Sequence, residues 1–222
     1  MRPHVLLSVA VSVDGYIDDT GPDRFPLSNA ADFDRVDALR AESDAILVGA
    51  RTLRRDNPRL LVADPARRAA RVADGKPAHP LGVVITARGE LDPERVFWHQ
   101  DAARVVYTTA DGLTAATAAV GGLADVVATA GLADVLDDLG RRGVARLMVE
   151  GGGRVHTAFL AAGLADELRV AVAPMLVGQA DAPRFLHPGA FPGGPARRFR
   201  LAEVTALGDV AVLRYLPKLT SA

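Results

Sequence analysis

The sequence predicts an α/β fold built on a mostly parallel central sheet, flanked by helices, with an antiparallel hairpin at the C-terminal end. Apolar runs typical of buried strands alternate with segments of helical spacing through residue 173. Residues 198–205 and 210–216 then flank Ala206-Leu207-Gly208-Asp209, a pattern typical of a β-hairpin. No linker-like stretch or internal repeat divides the 222 residues. We therefore expect a single domain over residues 1–222, with its core at about residues 4–217.

The predicted strands are short apolar runs rich in β-branched residues, the composition of strands that are covered on both faces. They are residues 5–12, 45–48, 81–86, 104–109, 126–127, 146–149 and 167–173.

The predicted helices have recognisable starts and stops. Ser28 is suited to cap a helix through about residue 43, in which Phe33, Val36 and Leu39 recur at helical spacing. A short helix follows Gly49 and is stopped by Asp56-Asn57-Pro58. Two more helices are expected at residues 132–142 and 155–162. We expect a short extended piece at residues 59–62, a loop with one helical turn at 64–80, and an irregular segment at 179–195.

Composition and charge exclude several classes of function. The net charge of −1 gives no reason to expect nucleic acid or a membrane surface as a partner. The sequence contains no Cys, which excludes disulfides and Cys-ligated metals within it, and its five histidines lack metal-site spacing, so we expect no metal. No apolar run reaches ~18 residues. We therefore expect no membrane span, no signal peptide and a cytoplasmic protein.

Two predicted strands open into glycine-containing helix starts. In residues 147–156 (LMVEGGGRVH) an apolar strand leads through Glu150 into Gly151, Gly152 and Gly153, and Gly49 ends an earlier strand. The free N–H groups and the positive dipole end of a helix favour an anion such as a phosphate. Because ligands of open parallel sheets bind outside the carboxyl ends of the strands, two such turns indicate a ligand with separated phosphates, such as a dinucleotide.

The triple-glycine turn has a simpler interpretation when it is taken alone. It continues with Arg154, Val155 and His156, so it is neither G-x-G-x-x-G nor a P-loop, and a tight strand-to-helix connection is the alternative. A phosphate would repel Glu150. We therefore expect the Glu150 side chain to face a neighbouring pocket and a different ligand.

Five blocks of the sequence are residues 12–15 (SVDG), 46–60 (ILVGARTLRRDNPRL), 149–153 (VEGGG), 162–167 (AGLADE) and 173–178 (APMLVG). In this order and spacing they resemble the pyrimidine reductase domain of riboflavin biosynthesis, a member of the dihydrofolate-reductase-like superfamily. The resemblance covers roughly residues 5–216 and implies a dihydrofolate-reductase-like fold. We expect only the reductase domain here, because the zinc deaminase domain often fused ahead of it needs Cys ligands that this sequence lacks.

The resemblance implies an NADPH-dependent reductase, commonly a homodimer, with a small heterocyclic substrate. Family members convert 5-amino-6-(5-phosphoribosylamino)uracil, or its 2,5-diamino pyrimidinone analogue, into the ribitylamino form. The sugar ring opens to an imine, and its C1′ accepts hydride from the nicotinamide.

The same resemblance assigns residues by position. The cofactor would be bound by Val48, Gly49, Thr52, Thr86, Arg88, Gly151, Gly152 and Gly153, with Thr86 and Arg88 at the adenosine 2′-phosphate. Ser8, Asp14, Ser28, Arg40 and Arg59 would line the substrate side. Glu150 and Asp56 would be the catalytic acids, because the nitrogen of a reduced imine must receive a proton, directly or through water.

Most of these residues also have a structural alternative. Asp56 suits a helix-stopping turn, Asp14 a β-turn and Ser28 a helix cap, while Arg40 and Arg59 suit a solvated surface. We expect His156 in core packing or on the surface rather than in catalysis.

Three residues depart from the family pattern. Ser8 stands where bacterial enzymes usually carry Lys and archaeal ones often Asn; Arg51 replaces a common Gly, and Ala87 a common hydroxyl residue. A hydroxyl cannot replace an ammonium group in binding a carbonyl, so the identity of the substrate stays open. One alternative is a dihydrofolate, pterin or secondary-metabolite reductase of the same fold, with Asp32 or Asp34 as its acid. Another is a nucleotide-binding protein without turnover.

Overall fold

The computed structural model describes residues 1–22, 25–196 and 198–218, and within them nine β-strands form one sheet. The strands are β1 (His4–Ser12), β2 (Ala45–Gly49), β3 (Leu81–Thr86), β4 (Arg104–Thr108), β5 (Asp125–Ala128), β6 (Arg146–Gly151), β7 (Glu167–Ala173), β8 (Phe199–Leu207) and β9 (Val210–Pro217). Their order is β5-β4-β3-β2-β6-β1-β7-β9-β8. The pairs β2–β3, β3–β4, β4–β5 and β1–β7 are parallel, whereas β7–β9 and β8–β9 are antiparallel. The predicted mostly parallel sheet with a C-terminal hairpin is confirmed.

Six α-helices occur in the described ranges. They are α1 (Ala30–Glu42), α2 (Ala50–Asp56), α3 (Pro65–Ala73), α4 (Leu113–Val120), α5 (Leu132–Arg141) and α6 (Gly153–Ala161). Short 3₁₀ turns lie at Val96–His99 and Gly194–Ala196. Within residues 1–22, 25–196 and 198–218, no helix has the length and apolar character that crossing a membrane requires.

The chain divides into two compact units. The single domain expected from the sequence remains a prediction. The first unit is Met1–His4 with Val36–Val149. Its core is built on the adjacent strands β2, β3 and β4. Every residue of β2 and of β4 is buried. The helix α5 packs Val135, Leu136 and Leu139 inward, and the hydroxyl of Tyr107 on β4 donates to Asp138 of α5 over 2.7 Å.

The second unit consists of Val5–Arg35 and the described part of Glu150–Ala222. Here β1 pairs with β7 from Leu6↔Glu167 to Ser12↔Ala173. β9 joins the other side of β7, and β8 forms the edge of the sheet. Between Leu201 and Glu203 the β8–β9 ladder contains a bulge with one extra residue, Ala202.

That bulge decides which side chains of β8 share a face. Phe199, Leu201 and Val204 pair with Pro217, Tyr215 and Leu213, which alternate along β9 and therefore lie on one face. Without the extra residue, Val204 would point to the opposite face from Leu201. Val212, on the other face of β9, is buried in a cluster with Ala171 and Val210.

Three predictions about the elements are wrong. Ser28 is not the cap of α1: the helix begins at Ala30, and the Asn29 side chain accepts from the Asp32 N–H over 2.9 Å. Residues 64–80 contain α3, a nine-residue helix rather than one turn. Residues 59–62 form no strand in the described structure, because Leu60 adopts a positive φ of 53°.

Candidate active site

The first predicted cofactor turn joins β2 to α2. Val48 is buried and Gly49 caps α2 with an extended backbone (φ −81°, ψ 152°) and no side-chain cap. Thr52 is half-buried and Arg51 is exposed, both in the first turn of α2. The N–H groups at the start of this helix are thus not capped by the Gly49 residue, an arrangement that suits an external acceptor.

The segment after α2 carries Asp56 and Arg59. Asp56 is the last, half-buried residue of α2, and Asn57 ends the helix in the left-handed region at φ 43°, with its N–H on Leu53 O at 3.1 Å. The predicted helix stop is confirmed. The side-chain oxygen of Asn57 is buried and accepts no hydrogen bond. An unmet buried acceptor of this kind suits a ligand donor or a water.

Arg59 belongs to the segment that follows α2, and Arg40 of α1 bonds to the same segment. Arg59 is exposed, whereas Arg40 on α1 is half-buried and donates to Leu61 O over 3.3 Å. Arg40 therefore anchors the backbone that follows the D-N-P block, which is a structural role beside any substrate contact.

The turn after β3 is the next predicted cofactor element. The Gly89 N–H donates to the Thr86 hydroxyl at 3.2 Å, and Gly89 has φ +70°. Arg88 lies between them and is exposed. The turn places a cation at the carboxyl end of a parallel strand, where an anionic ligand group can pair with it.

The triple-glycine turn belongs to the second unit from Glu150 onward. Glu150 is half-buried near the end of β6, Gly152 has φ 90° and ψ 132°, and Gly153 is the first residue of α6. The carbonyl of Gly152 accepts from Val155 N at 2.9 Å and His156 N at 3.1 Å. Position 152 requires a glycine, since side chains rarely adopt this φ. The sequence prediction of a sharp turn here is confirmed.

Gly153, the third glycine of this turn, packs closely against the backbone of another segment. A side chain at Gly153 would overlap Arg184 O and lie 3.2 Å from both Phe185 O and His187 Nε2. Thr157 fixes the same contact, because its hydroxyl donates to Gly153 O at 2.7 Å and accepts from His187 N at 2.9 Å. Gly153 thus allows residues 184–187 to pack on α6, a role that the sequence did not indicate.

His156 lies one turn into α6 and is fully buried. Its ring makes an edge contact with Phe185, with centroids 5.4 Å apart, and neither ring nitrogen has a hydrogen-bond partner. Burial lowers the pKa of His156 from 6.5 to about 4. The ring is therefore neutral at pH 7, and of the two placements that the sequence left open for His156, the core is the one observed.

Asp14 organises a loop in the second unit. Its carboxylate accepts from the Ser12 hydroxyl at 2.6 Å, from Val177 N at 3.1 Å and from Gly178 N at 2.8 Å. The Ser12 bond leads the contributions that lower the pKa of Asp14, and the two backbone bonds add to it. The turn acid expected from sequence therefore holds residues 177–178.

The remaining predicted substrate residues, Ser8 and Ser28, lie in the same unit. Ser8 is 5% exposed in β1, in register with Arg169 of β7. Ser28 is half-buried and directly precedes the cap of α1.

Each glycine turn, taken by itself, fits part of a phosphate-bearing cofactor. The turn at Gly152 and the first residues of α6 offer backbone N–H groups to an anion, and the Thr86–Gly89 turn offers an exposed guanidinium. The groups of three or more His, Cys, Asp or Glu that a metal ion needs do not occur in the described ranges.

The comparisons with known proteins decide the family. The model of the RibD C-terminal domain matches residues 3–213. The chain belongs to the RibD C-terminal domain family. This family contains reductases of riboflavin biosynthesis, so the protein is an oxidoreductase, and membership implies a nicotinamide cofactor.

Two relatives match this chain over nearly its whole length. The 2,5-diamino-6-ribosylamino-4(3H)-pyrimidinone 5′-phosphate reductase of Archaeoglobus fulgidus is 33% identical, over 94% of this chain and 95% of that protein. The enzyme of the same name from Methanothermobacter thermautotrophicus is 32% identical, over 98% of this chain and all of that protein. The riboflavin biosynthesis protein RibD of Bacillus amyloliquefaciens is 32% identical, but this chain spans only 58% of it.

Solved structures show the same fold. Acinetobacter baumannii RibD superposes with a TM-score of 0.79 at 24% identity, over 98% of this chain and 59% of that one. A pyrimidine reductase-like protein of Corynebacterium diphtheriae superposes with a TM-score of 0.77 at 20% identity, over 98% and 92% of the two chains. The chain therefore spans about three fifths of the Acinetobacter RibD chain and nearly all of the Corynebacterium protein.

Proposed function

We propose that the protein reduces 2,5-diamino-6-ribosylamino-4(3H)-pyrimidinone 5′-phosphate with NADPH, as a cytoplasmic homodimer. The observation that carries this proposal is the end-to-end match to the two archaeal enzymes of that name. The uracil analogue, 5-amino-6-(5-phosphoribosylamino)uracil, is the alternative substrate. It is the one named for the bifunctional Thermotoga maritima protein, of which this chain covers 57%.

The cofactor side of the proposal uses backbone and one cation. Gly49, Gly151, Gly152 and Gly153, with the buried Val48 and the Thr52 hydroxyl, bind the phosphates and ribose. Thr86 and Arg88 bind the 2′-phosphate, which distinguishes NADPH from NADH, because a guanidinium forms charge-assisted hydrogen bonds with a phosphate. When bound, the nicotinamide supplies the hydride that the reduction needs.

The substrate side supplies the proton and the orientation. Reduction adds hydride to C1′ of the ring-opened imine and a proton to its nitrogen, which leaves a secondary amine. Glu150 or Asp56 delivers that proton directly or through a water. Ser8, Asp14, Ser28, Arg40 and Arg59 contact the heterocycle, the sugar and the phosphate.

Dihydrofolate is a weaker candidate for the substrate, because Asp32 of α1, an acid that could bind the pterin ring, is already paired with an arginine. The buried carboxylate of Asp32 pairs with Arg35, with Oδ1 at 2.7 Å from one guanidinium nitrogen and 2.8 Å from Nε. An acid already neutralised by an arginine is a poor partner for a protonated pterin ring.

An exposed apolar face supports the homodimer. On the edge strand β8, Phe199, Leu201 and Val204 are 42%, 50% and 60% exposed and share one face of the sheet. Contiguous exposed apolar side chains of this kind mark interaction sites. A second copy of the chain would cover them in a two-fold interface.

The test is NADPH oxidation followed by nicotinamide absorbance with the purified protein. The diamino pyrimidinone phosphate, its uracil analogue and dihydrofolate are offered separately, with NADPH and with NADH. We expect the highest kcat/KM with the diamino substrate and NADPH. Turnover of dihydrofolate alone would establish the rival substrate class, and NADPH binding without any turnover would indicate a reductase that acts on a different heterocycle.

A further inference from the structure

We propose that Thr109 and Gly112 are positioning residues for Arg88, and that through it they set the preference for a cofactor with a 2′-phosphate. This inference rests on the proposed function of Arg88. It concerns a second turn that follows β4, whose residues make no part of the family pattern described above.

The two turns have similar sequences and the same internal hydrogen bond. The first, Thr86-Ala87-Arg88-Gly89, begins at the last residue of β3, and the second, Thr109-Ala110-Asp111-Gly112, begins just after β4. In each, the glycine N–H donates to the threonine hydroxyl three residues earlier, at 3.2 Å for Gly89 and 3.3 Å for Gly112. Because β3 and β4 are neighbouring parallel strands in register at Thr86↔Thr108, the two turns emerge side by side.

The turns are interlocked by a hydrogen bond. The Thr109 hydroxyl donates to Ala87 O over 2.7 Å, while it accepts from Gly112 N. Ala87 immediately precedes Arg88, so this bond fixes the peptide group from which the arginine extends. Valine at position 109 would keep the shape of the side chain and lose both bonds.

The turns are also interlocked by close packing of backbone on backbone. A Cβ at Gly112 would overlap Thr108 Oγ1, lie 2.6 Å from Ala87 O and lie 3.0 Å from the Arg88 carbonyl carbon. A Cβ at Gly89 would overlap Gly112 O and lie 2.6 Å from Ala116 N. Each glycine therefore leaves room for the other turn, and any side chain at position 112 must push the Arg88 peptide away.

A rigid support matters here because Arg88 is long and exposed. Holding a rotamer-rich side chain for one phosphate costs conformational entropy at the moment of binding, and a fixed backbone lowers that cost. The consequence is specific: disturbing the second turn weakens ligands that carry the 2′-phosphate and leaves ligands without it unaffected.

The test measures binding of adenosine fragments by calorimetry. Adenosine 2′,5′-bisphosphate and adenosine 5′-monophosphate are titrated into the wild type, Thr109→Val, Gly112→Ala, Arg88→Ala and the double variant Arg88→Ala/Thr109→Val. Thr114→Val and Gly122→Ala are matched controls, because Thr114 is exposed on α4 and a Cβ at Gly122 would meet nothing within 4 Å. The same set is assayed for kcat/KM with NADPH and with NADH.

We expect Thr109→Val to weaken binding of the bisphosphate about threefold to tenfold, corresponding to the lost hydrogen bond to Ala87 O, and Gly112→Ala at least as much. Neither should change binding of the monophosphate by more than about twofold, and neither control should change either ligand. In the Arg88→Ala background, Thr109→Val should have no further effect, because its action passes through Arg88.

Equal weakening of both fragments, or an undiminished effect of Thr109→Val without Arg88, would overturn the inference. So would a Thr109→Val variant that keeps the full preference for the bisphosphate. The proposed function fails separately: a wild type that does not discriminate between the two fragments, or an Arg88→Ala variant that still does, would remove Arg88 from the 2′-phosphate site.

Discussion

Glu150 is a carboxylate held at a fixed place by its neighbours in the chain. Three buried residues of β6 precede it and Glu150 itself belongs to that strand, so the sheet holds its backbone while its side chain is half-buried. A proton donor works best when it is preorganised in this way, because little reorganisation remains for the reaction itself.

Replacing Glu150 tests its predicted role in proton delivery. Glu150→Gln keeps the size of the side chain and removes the transferable proton, so we expect kcat to fall by ~10²-fold or more with unchanged affinity for NADPH. Steady-state kinetics and cofactor titration measure the two quantities. Glu94→Gln, at an exposed position, is the control. Unchanged turnover of the Glu150 variant would shift the assignment to Asp56.

Both ring nitrogens of His156 are buried without a hydrogen-bond partner, which lowers the stability of the folded protein. The unfolded chain binds a proton near pH 6.5, while the buried ring resists protonation until about pH 4. Stability is therefore full above pH 6.5 and falls as the pH drops through this window. We expect His156→Leu to raise the unfolding free energy by about 1 kcal/mol at pH 7, since both ring nitrogens lack partners, and to flatten its pH dependence.

Urea denaturation at pH 7 and pH 5 measures the effect of His156→Leu. The exposed His99, replaced by Leu, is the matched control. A pH 5 destabilisation that is the same in the wild type and in His156→Leu would assign the titration to another group.

At the scale of elements, α6 is held from outside by residues 184–187. Gly153→Ala places a methyl group against the Arg184 carbonyl, and we expect it to destabilise the protein by about 1–3 kcal/mol through overpacking. Gly131→Ala is the matched control, since Gly131 likewise lies at the start of a helix, as the N-cap of α5, but a Cβ there would meet nothing within 4 Å. Thermal or denaturant unfolding compares the two. Equal stabilities would mean that the 184–187 segment moves aside without cost.

Glu167 connects two strands of the second unit. Burial alone would raise the pKa of this carboxyl, but hydrogen bonds from Arg214 on β9 and Arg169 on β7 lower it to about 2. The resulting stability is present above the unfolded value of 4.5 and is lost as the pH falls toward 2. We expect Glu167→Gln to cost about 1–3 kcal/mol at pH 7 and much less near pH 3.

Denaturant unfolding at the two pH values measures the Glu167 effect, with Glu94→Gln, at an exposed position, as control. A destabilisation that is independent of pH would show that the loss comes from side-chain shape rather than from charge.

The sequence predicted the strands far better than the helices between them. A buried parallel strand such as β3 is marked by its composition alone, and its predicted bounds are those observed. In α3, Asp64 at the cap and Pro65 at the first position were available start signals, but the run of Arg and Ala has little apolar periodicity. In α4 only Ala116 and Val120 are buried, so small residues concealed the pattern.

The candidate site was predictable where backbone geometry demands a residue type. Gly152, at φ 90°, is such a case. Roles that depend on distant packing were not predictable. Gly153 meets a segment about thirty residues away, and Thr109 meets Ala87, 22 residues away. The Ser28 cap was misassigned by one residue, because Asn29 has an equally suitable side chain.

At the scale of the whole molecule, the proposed dimer makes a direct prediction. Leu201→Glu combined with Val204→Glu puts two charges on the exposed face of β8, and we expect the protein to become a monomer. Light scattering coupled to size-exclusion chromatography measures the mass. Val72→Glu is the matched control, because Val72 is an equally exposed apolar residue on α3. A double variant that remains dimeric would place the interface elsewhere.

The bulge at Ala202 bears on how this chain avoids aggregation. An apolar strand at the rim of a sheet invites open-ended stacking of one molecule on the next, backbone to backbone. The irregular ladder kinks and twists β8, so that its rim is a poor template for an incoming strand while its side chains stay available on the flat of the sheet. The same extra residue that gathers Phe199, Leu201 and Val204 together thus favours a closed pair over a growing fibre.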